Sequence, residues 1–310
     1  MIDARDVALI VEGGGMRNSY TASAIVKFIE QDVRFGWVGG VSAGAVHALN
    51  YASADVERTR TAFTDLATHP HFGGWVKLVR GQGYFNAEFI YGQADELLPF
   101  DFPTFARSKT EVHVEAVNAL TGDTVFWTSA DFLLDPSLVG RAARASSTVP
   151  KVMPIGFIDG VPYVDGALGS SGGLLIDAAR AAGFTRFAVL ATRPRDYWKK
   201  PVVAPAAVRQ MFRKYPAIAE ALDLRAARYN ASKQQILDLE ASGDAVVFYP
   251  DNMQAESTER RLGRLLKNYA AGAEQFDREW AAWVEFLGGA PAVGPGVGPE
   301  VGLSAARRSA

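Results

Sequence analysis

The chain has 310 residues, of which 48% are hydrophobic and 21% charged, a balance that excludes a disordered or fibrous protein. Its 32 basic and 34 acidic residues leave a net charge of -2, so no overall basic field favours nucleic acid as a partner. The sequence contains no cysteine, which excludes disulfides, cysteine-based metal sites and a cysteine nucleophile.

The sequence predicts neither a signal peptide nor a membrane-spanning segment. Charged residues within the first six positions predict no signal peptide. No run of about 18 apolar residues predicts a transmembrane helix. We therefore expect a cytoplasmic protein whose contact with a membrane, if there is one, is peripheral.

The first fifth of the chain alternates predicted strands and helices. The apolar run at 7–11 predicts a strand that is buried on both faces, and residues 37–41 predict a second strand. Apolar residues recur at helical spacing over 18–31, and small residues predict a helix from about 43 to 52. This order is typical of a parallel α/β sheet.

The middle of the chain predicts shorter elements. Residues 69–103, rich in glycine and aromatics, predict short helices and loops that either form a lid or pack internally, and packing is the favoured interpretation. Strands at 111–118 and 123–128 form a predicted hairpin, and the alternation of the first strand predicts one exposed face. A helix near 137–146 precedes a second hairpin, formed by 155–158 and 161–164.

The predicted elements after residue 174 are mostly helices. A helix at 174–182 and a strand at 186–191 precede a helical region with one strand at 245–249 and a final helix at about 256–287. We expect the tail from 288 to 310 to be disordered.

Two clusters of basic residues lie in the second half of the chain. We interpret Arg193, Arg195, Lys199 and Lys200 as a solvated surface loop, with attraction of anionic headgroups as the alternative. The basic residues Arg260, Arg261, Arg264 and Lys267 indicate an amphipathic helix with outward charge, with membrane docking as the minority alternative.

The sharpest motif is the G-x-S-x-G pattern at Gly40-Val41-Ser42-Ala43-Gly44. A nucleophilic serine must project from a tight turn between a strand and a helix, and side chains two residues away on either side would collide there. The N-terminus of the following helix favours the negative charge that develops during attack. Ser42 is therefore a candidate nucleophile.

A glycine loop, Gly13-Gly14-Gly15-Met16-Arg17, directly follows the first strand. Its backbone N–H groups could bind an oxyanion without obstruction by side chains. A nucleotide loop is a second interpretation, although Asn18 replaces the last glycine of the dinucleotide pattern and no phosphate-loop lysine follows. A plain structural turn is the third.

The partner of the serine is less clear from the residues alone. Asp165, in Asp165-Gly166-Ala167, could act as a base, but Asp-Gly is also a common turn pair. The four histidines, His47, His69, His71 and His113, all precede it, so the chain order of an α/β-hydrolase triad is not met. We interpret the histidines as packing or surface residues, which favours a Ser–Asp dyad. They also lack metal-protease spacing, so no metal site is expected.

Taken in order, the glycine loop, the G-x-S-x-G pattern and the Asp-Gly-Ala motif resemble the patatin-like phospholipases over roughly residues 7–192. The segment Arg144-Ala145-Ser146-Ser147-Thr148-Val149-Pro150 also resembles that family, and the helical region after Thr192 resembles the C-terminal extension of a bacterial branch. Asn18 and the run Gly169-Ser170-Ser171-Gly172-Gly173 depart from the family pattern.

The resemblance implies a three-layer α/β/α fold with a mostly parallel sheet. It implies a catalytic domain at 1–192 and a helical extension at 193–287 packed on it. Ser42 would be the nucleophile and Asp165 the base, and Gly13, Gly14, Gly15 and Arg17 would form the oxyanion hole. No cofactor is expected, and the partner would be a lipid or other acyl ester.

Two other functional classes remain open at the level of the sequence. One is a lipid-binding or regulatory protein of the same fold that has lost turnover. The other is a nucleotide-binding α/β protein that uses the glycine loop. Headgroup preference and the choice between hydrolysis and transacylation are not determined by the motifs.

Overall fold

Strand β1 (Ile2–Val11) shows why the chain builds a sheet that is covered on both sides. Along this strand, Leu9 and Val11 belong to one hydrophobic core, and Ala8 and Ile10 belong to a second. Because side chains alternate between the two faces of a strand, a strand between two helical layers needs a continuous apolar run. The computed structural model, which describes residues 1–74 and 83–288, confirms the predicted three-layer α/β/α fold.

Within the described residues, the strands form one sheet of eight. After β1 come β2 (Val33–Val41), β3 (Glu111–Asn118), β4 (Thr124–Thr128), β5 (Gly156–Ile158), β6 (Val161–Asp165), β7 (Arg186–Leu190) and β8 (Ala245–Phe248). Strands β8, β7, β1, β2 and β3 run parallel in that spatial order. Strand β4 pairs antiparallel with β3, and β5 and β6 form the predicted second hairpin.

Strand β3 aligns the ends of β2 and β6. Val41, the last residue of β2, pairs with Glu115 of β3, and the next residue of β3, Ala116, pairs with Asp165 at the end of β6. Strand β4 pairs with β3 along the same stretch and therefore takes the opposite edge. Strands β2 and β6 must then share one edge of β3, so the two strand ends are neighbours.

Helices cover both faces of the sheet. In chain order they are α1 (Asn18–Glu30), α2 (Ala43–Ala52), α3 (Val56–Ala62), α4 (Ala87–Tyr91), α5 (Phe102–Arg107), α6 (Ser129–Leu134), α7 (Leu138–Ser146), α8 (Ile176–Ala181), α9 (Pro205–Met211), α10 (Pro216–Ser242) and α11 (Leu262–Phe286). Short 3-10 turns lie at Gly15–Arg17, Asp65–Thr68, Gln93–Glu96 and Gly166–Leu168. Helices α1, α2, α7 and α11 contribute to the first core, and α8 and α10 to the second.

Two expectations about these elements are wrong. The final helix begins at Leu262 and not near residue 256, because the carbonyls of Ser257 and Thr258 are engaged by the Met16 N–H and the Tyr84 hydroxyl. Strand β3 does not expose one face along its length, because Glu115 is fully buried. Both outcomes come from contacts with residues distant in sequence.

Other expectations concern the termini and segment boundaries. Across residues 1–74 and 83–288, no helix combines the length and apolar character needed to cross a membrane. Residues 289–310 of the expected disordered tail lie outside the described residues, as do 75–82 of the aromatic stretch. The division of the chain at 192 stays a prediction.

Candidate active site

Ser42 occupies a sharp turn between β2 and α2. Its backbone angles, φ 57° and ψ −125°, are rare for a residue with a side chain. A Cβ atom at Gly40 would overlap the carbonyl of Gly44, and one at Gly44 would overlap the carbonyl of Val11. A side chain at either glycine of the motif would therefore displace main-chain atoms, and the Ser42 side chain lines a cavity.

Ser42 and Asp165 line the same cavity, close enough for the Ser42 hydroxyl to favour the charged form of the Asp165 carboxyl group. This carboxyl group is buried and also accepts the Ala167 N–H at 2.8 Å. Burial raises the pKa of Asp165, while the nearby charge of Arg225, the N–H of Ala167 and the hydroxyl of Ser42 oppose the shift. The carboxylate is therefore a stronger base than an aspartate in water.

Ser146 fixes the backbone of the turn. Its Oγ accepts a hydrogen bond from the N–H of Ser42 at 2.8 Å, and the carbonyl of Thr148 accepts the N–H of Asp165 at 2.9 Å. One segment, at the end of α7, thus holds both residues of the Ser–Asp pair. The sequence resemblance pointed to this segment but not to its role.

The glycine loop lies directly beside Ser42. A Cβ atom at Gly13 would come within 3.0 Å of the Cβ of Ser42, and Gly15 has a left-handed backbone with φ 57°. No hydrogen bond among the described residues uses the N–H of Gly14 or Gly15. Two backbone donors are thus available next to the serine, and Arg17 follows them along the cavity wall.

A cavity of about 600 Å³ contains all of these groups. Ser42, Asp165 and the three glycines line it on one side. Much of the remaining wall is apolar, and includes Phe63, Leu66, Phe72, Phe85, Ile90 and Phe102. Phe72 and Phe85 come from the aromatic stretch at 69–103, so that stretch both packs internally and lines the cavity. A wall of this kind suits an acyl chain.

Basic side chains also line the cavity. They include Arg17, Arg193, Lys199 and Arg225. The interpretation of the cluster at 193–200 as a solvated surface loop is therefore wrong for Arg193 and Lys199. Of the other two residues in this cluster, Lys200 is exposed and Arg195 pairs with Glu240 on the surface. Arg260 is not an outward charge on the final helix, because it donates to the carbonyls of residues 67, 69 and 73.

None of the four histidines lines the cavity. His47 is buried, and its Nε2 lies 3.0 Å from the carbonyl of Asn18. Burial lowers the pKa of His47 to about 4, so the ring is neutral at physiological pH. His113 contacts Glu111, and His69 stacks on Phe89. Within the part of the chain that the structure describes, no three acidic or histidine side chains form a metal site.

Glu12 is a buried residue near the site that the sequence analysis did not assign. Its carboxylate accepts the Thr192 N–H at 2.6 Å and the Tyr229 hydroxyl at 3.0 Å. The Thr192 hydroxyl in turn donates to the carbonyl of Gly13 at 3.0 Å. Glu12 thus ties the glycine loop to β7 and α10. In the sequence, an acidic residue directly after an apolar strand was the feature that could have pointed to Glu12.

Two family models match this chain. A family model described as patatin-like phospholipase matches residues 9–179, and a domain of unknown function (DUF6363) matches residues 215–288. No curated protein matches the chain. Among solved structures, VipD from Legionella pneumophila has a TM-score of 0.46 and 10% sequence identity, with 88% of this chain and 66% of that chain covered.

The patatin-like model covers more than half of the chain. Its range contains the glycine loop, Ser42 and Asp165, the three features that converge on one cavity. Membership of the family supports a lipid hydrolase. The chain belongs to the patatin-like phospholipase family.

Proposed function

We propose that this protein hydrolyses carboxylic esters of lipids through an acyl-enzyme on Ser42. The observation that supports the proposal is the position of Ser42 beside the buried carboxyl group of Asp165, inside a cavity with a largely apolar wall. Asp165 serves as the general base, and the N–H groups of Gly14 and Gly15, with Arg17 nearby, form the oxyanion hole.

In the first half of the reaction, the Oγ of Ser42 attacks the ester carbonyl carbon while its proton passes to Asp165. The carbonyl oxygen becomes an oxyanion held by the backbone donors, each of which contributes about 3 kcal/mol in comparable sites. When this intermediate collapses, the carbon–oxygen bond to the alcohol breaks. The alcohol leaves with the proton from Asp165.

The second half of the reaction repeats these steps with water. Asp165 takes a proton from the water molecule, whose oxygen attacks the acyl-enzyme. The second oxyanion collapses, the fatty acid leaves, and Ser42 recovers its proton from Asp165. Because burial raises the pKa of Asp165, this carboxylate accepts protons more readily than a solvated one.

Covalent labelling combined with turnover tests the proposal. A fluorophosphonate probe should label Ser42 in the wild type, and neither Ser42→Ala nor Asp165→Asn should react at a comparable rate. We expect both variants to lower kcat for a lipid ester by about 10³-fold or more. The matched control is Ser170→Ala, which changes an exposed serine that follows the same strand as Asp165. Normal turnover by Ser42→Ala would refute the proposal.

A further inference from the structure

Four basic side chains concentrate on one wall of the cavity that holds Ser42. Arg17, Arg193, Lys199 and Arg225 are each partly buried there. Asp165 is the only carboxylate among the described residues that line the same cavity. None of the four cations forms an ion pair with a described carboxylate. Positive charge concentrated in a cleft in this way favours an anionic ligand.

Contacts with helix α10 hold Lys199 in place. The N–H of Lys199 donates to the side chain of Asn230 at 2.9 Å, and the Asn230 amide donates back to the carbonyl of Lys199 at 3.0 Å. The ammonium of Lys199 lies 4.4 Å from the centre of the Tyr229 ring. Asn230 and Tyr229 belong to α10, which also carries Arg225. The position of Lys199 is thus fixed before a ligand arrives, which reduces the entropy lost on binding.

The arrangement leaves hydrogen-bond donors unsatisfied. The Nε atoms of Arg17 and Arg225 are buried and have no partner among the described residues. Burial, together with the neighbouring charge of Arg225, lowers the pKa of Lys199 to about 8. A bound anion would supply acceptors for these donors and would reduce the repulsion between the cations.

We infer that Arg193, Lys199 and Arg225 form a binding site for a phosphate-type anion on the alcohol portion of the ester, which selects headgroups of net negative charge. The inference rests on the proposed function and names its substrate class. All three residues follow the region matched by the patatin-like model, which ends at residue 179. Arginine and lysine both bind phosphate oxygens well, and a zwitterionic headgroup adds a cation that this wall repels.

The test compares three esters that share one acyl chain and differ only in the headgroup. They are a neutral monoacylglycerol, a zwitterionic lysophosphatidylcholine and an anionic lysophosphatidylglycerol, presented in the same neutral detergent. For the wild type we expect kcat/KM for the anionic ester to exceed that for the other two by about tenfold or more. Arg193→Gln and Lys199→Met should each reduce this preference by about tenfold.

Two further variants test whether the charge at position 199 itself determines the preference. Lys199→Arg should restore the preference for the anionic ester, and Lys200→Met, which changes the exposed neighbour, should leave it unchanged. Equal kcat/KM for all three esters in the wild type would overturn the inference. A loss in the variants that is the same for all three esters would also overturn it, because it would assign the cations to the ionisation of Asp165.

A binding measurement separates a headgroup from a free anion and does not depend on turnover. Inorganic phosphate should raise the Tm of the wild type by about 2 °C or more over sodium chloride at equal ionic strength. Lys199→Met should lose this shift. A phosphate-dependent shift without a headgroup preference would overturn the headgroup assignment in favour of a free anion. If the wild type hydrolyses no ester, the proposed function fails, and this shift still decides whether the anion site exists.

Discussion

At the scale of single residues, the site depends on backbone atoms that approach one another closely. Ser42 adopts its strained conformation in a turn so tight that the carbonyls of Gly44 and Val11 occupy the space that side chains at Gly40 and Gly44 would need. The G-x-S-x-G pattern therefore reflects packing of the main chain around the turn, which leaves the Ser42 side chain in the cavity that Asp165 also lines.

This packing predicts the effect of adding one methyl group. We expect Gly40→Ala and Gly44→Ala each to lower the free energy of unfolding by about 3 kcal/mol or more, because backbone atoms must move to admit the new group. Urea denaturation measures the change. The control is Gly263→Ala in α11, where nothing lies within 4 Å of the new Cβ, and stability should stay the same or rise by up to about 1 kcal/mol. Equal stability of all three variants would contradict the steric argument.

At the scale of elements, strand β3 brings together the strand ends that carry the site. It aligns the ends of β2 and β6, and its own Glu115 is buried next to Asp165. The hydroxyl of Ser171 donates to Oε2 of Glu115 at 3.0 Å, while Oε1 has no partner among the described residues. Burial is the main cause that raises the pKa of Glu115 to about 8, so this group is largely protonated at neutral pH.

The raised pKa predicts how stability changes with pH. The folded state holds the proton on Glu115 more tightly than the unfolded state does, so the contribution of this group to stability is complete below the unfolded pKa. It is lost as pH rises towards about 8. Glu115→Gln cannot titrate, so its stability relative to the wild type should increase between about pH 5 and pH 8. Thermal unfolding over that range measures the difference, and a constant difference would contradict the prediction.

At the scale of the whole molecule, residues after 193 complete a site that begins near residue 13. Ser257 and Thr258 line the cavity, and the carbonyl of Ser257 accepts the N–H of Met16 in the glycine loop. Helix α11 then packs on α1 through an aromatic cluster. In this cluster the ring centres of Phe276 and Trp283 lie 5.2 and 5.6 Å from that of Phe28. The C-terminal segment thus stabilises the first helix after the glycine loop.

The aromatic cluster predicts a global loss of stability. Trp283 is 1% exposed, and Trp283→Ala should lower the free energy of unfolding by about 3–5 kcal/mol, because it opens a cavity between α1 and α11. The matched control is Trp198→Ala at a 44% exposed position, where we expect a change within about 1 kcal/mol. If Trp283→Ala and Trp198→Ala lowered the free energy of unfolding by similar amounts in urea, packing of α11 on α1 would not be important for stability.

The sequence by itself determined the strand order along the chain, both hairpins and the three motifs, because apolar runs and glycine spacing are local properties. The tertiary structure decided that Arg193 and Lys199 face the cavity, that Glu115 is buried and that residues 256–261 are not helical. Those outcomes depend on partners such as Asn230, Ser171 and Met16, which lie 31 to 241 residues away in sequence. Burial and pairing at such distances follow from how the elements pack, and no local pattern encodes them.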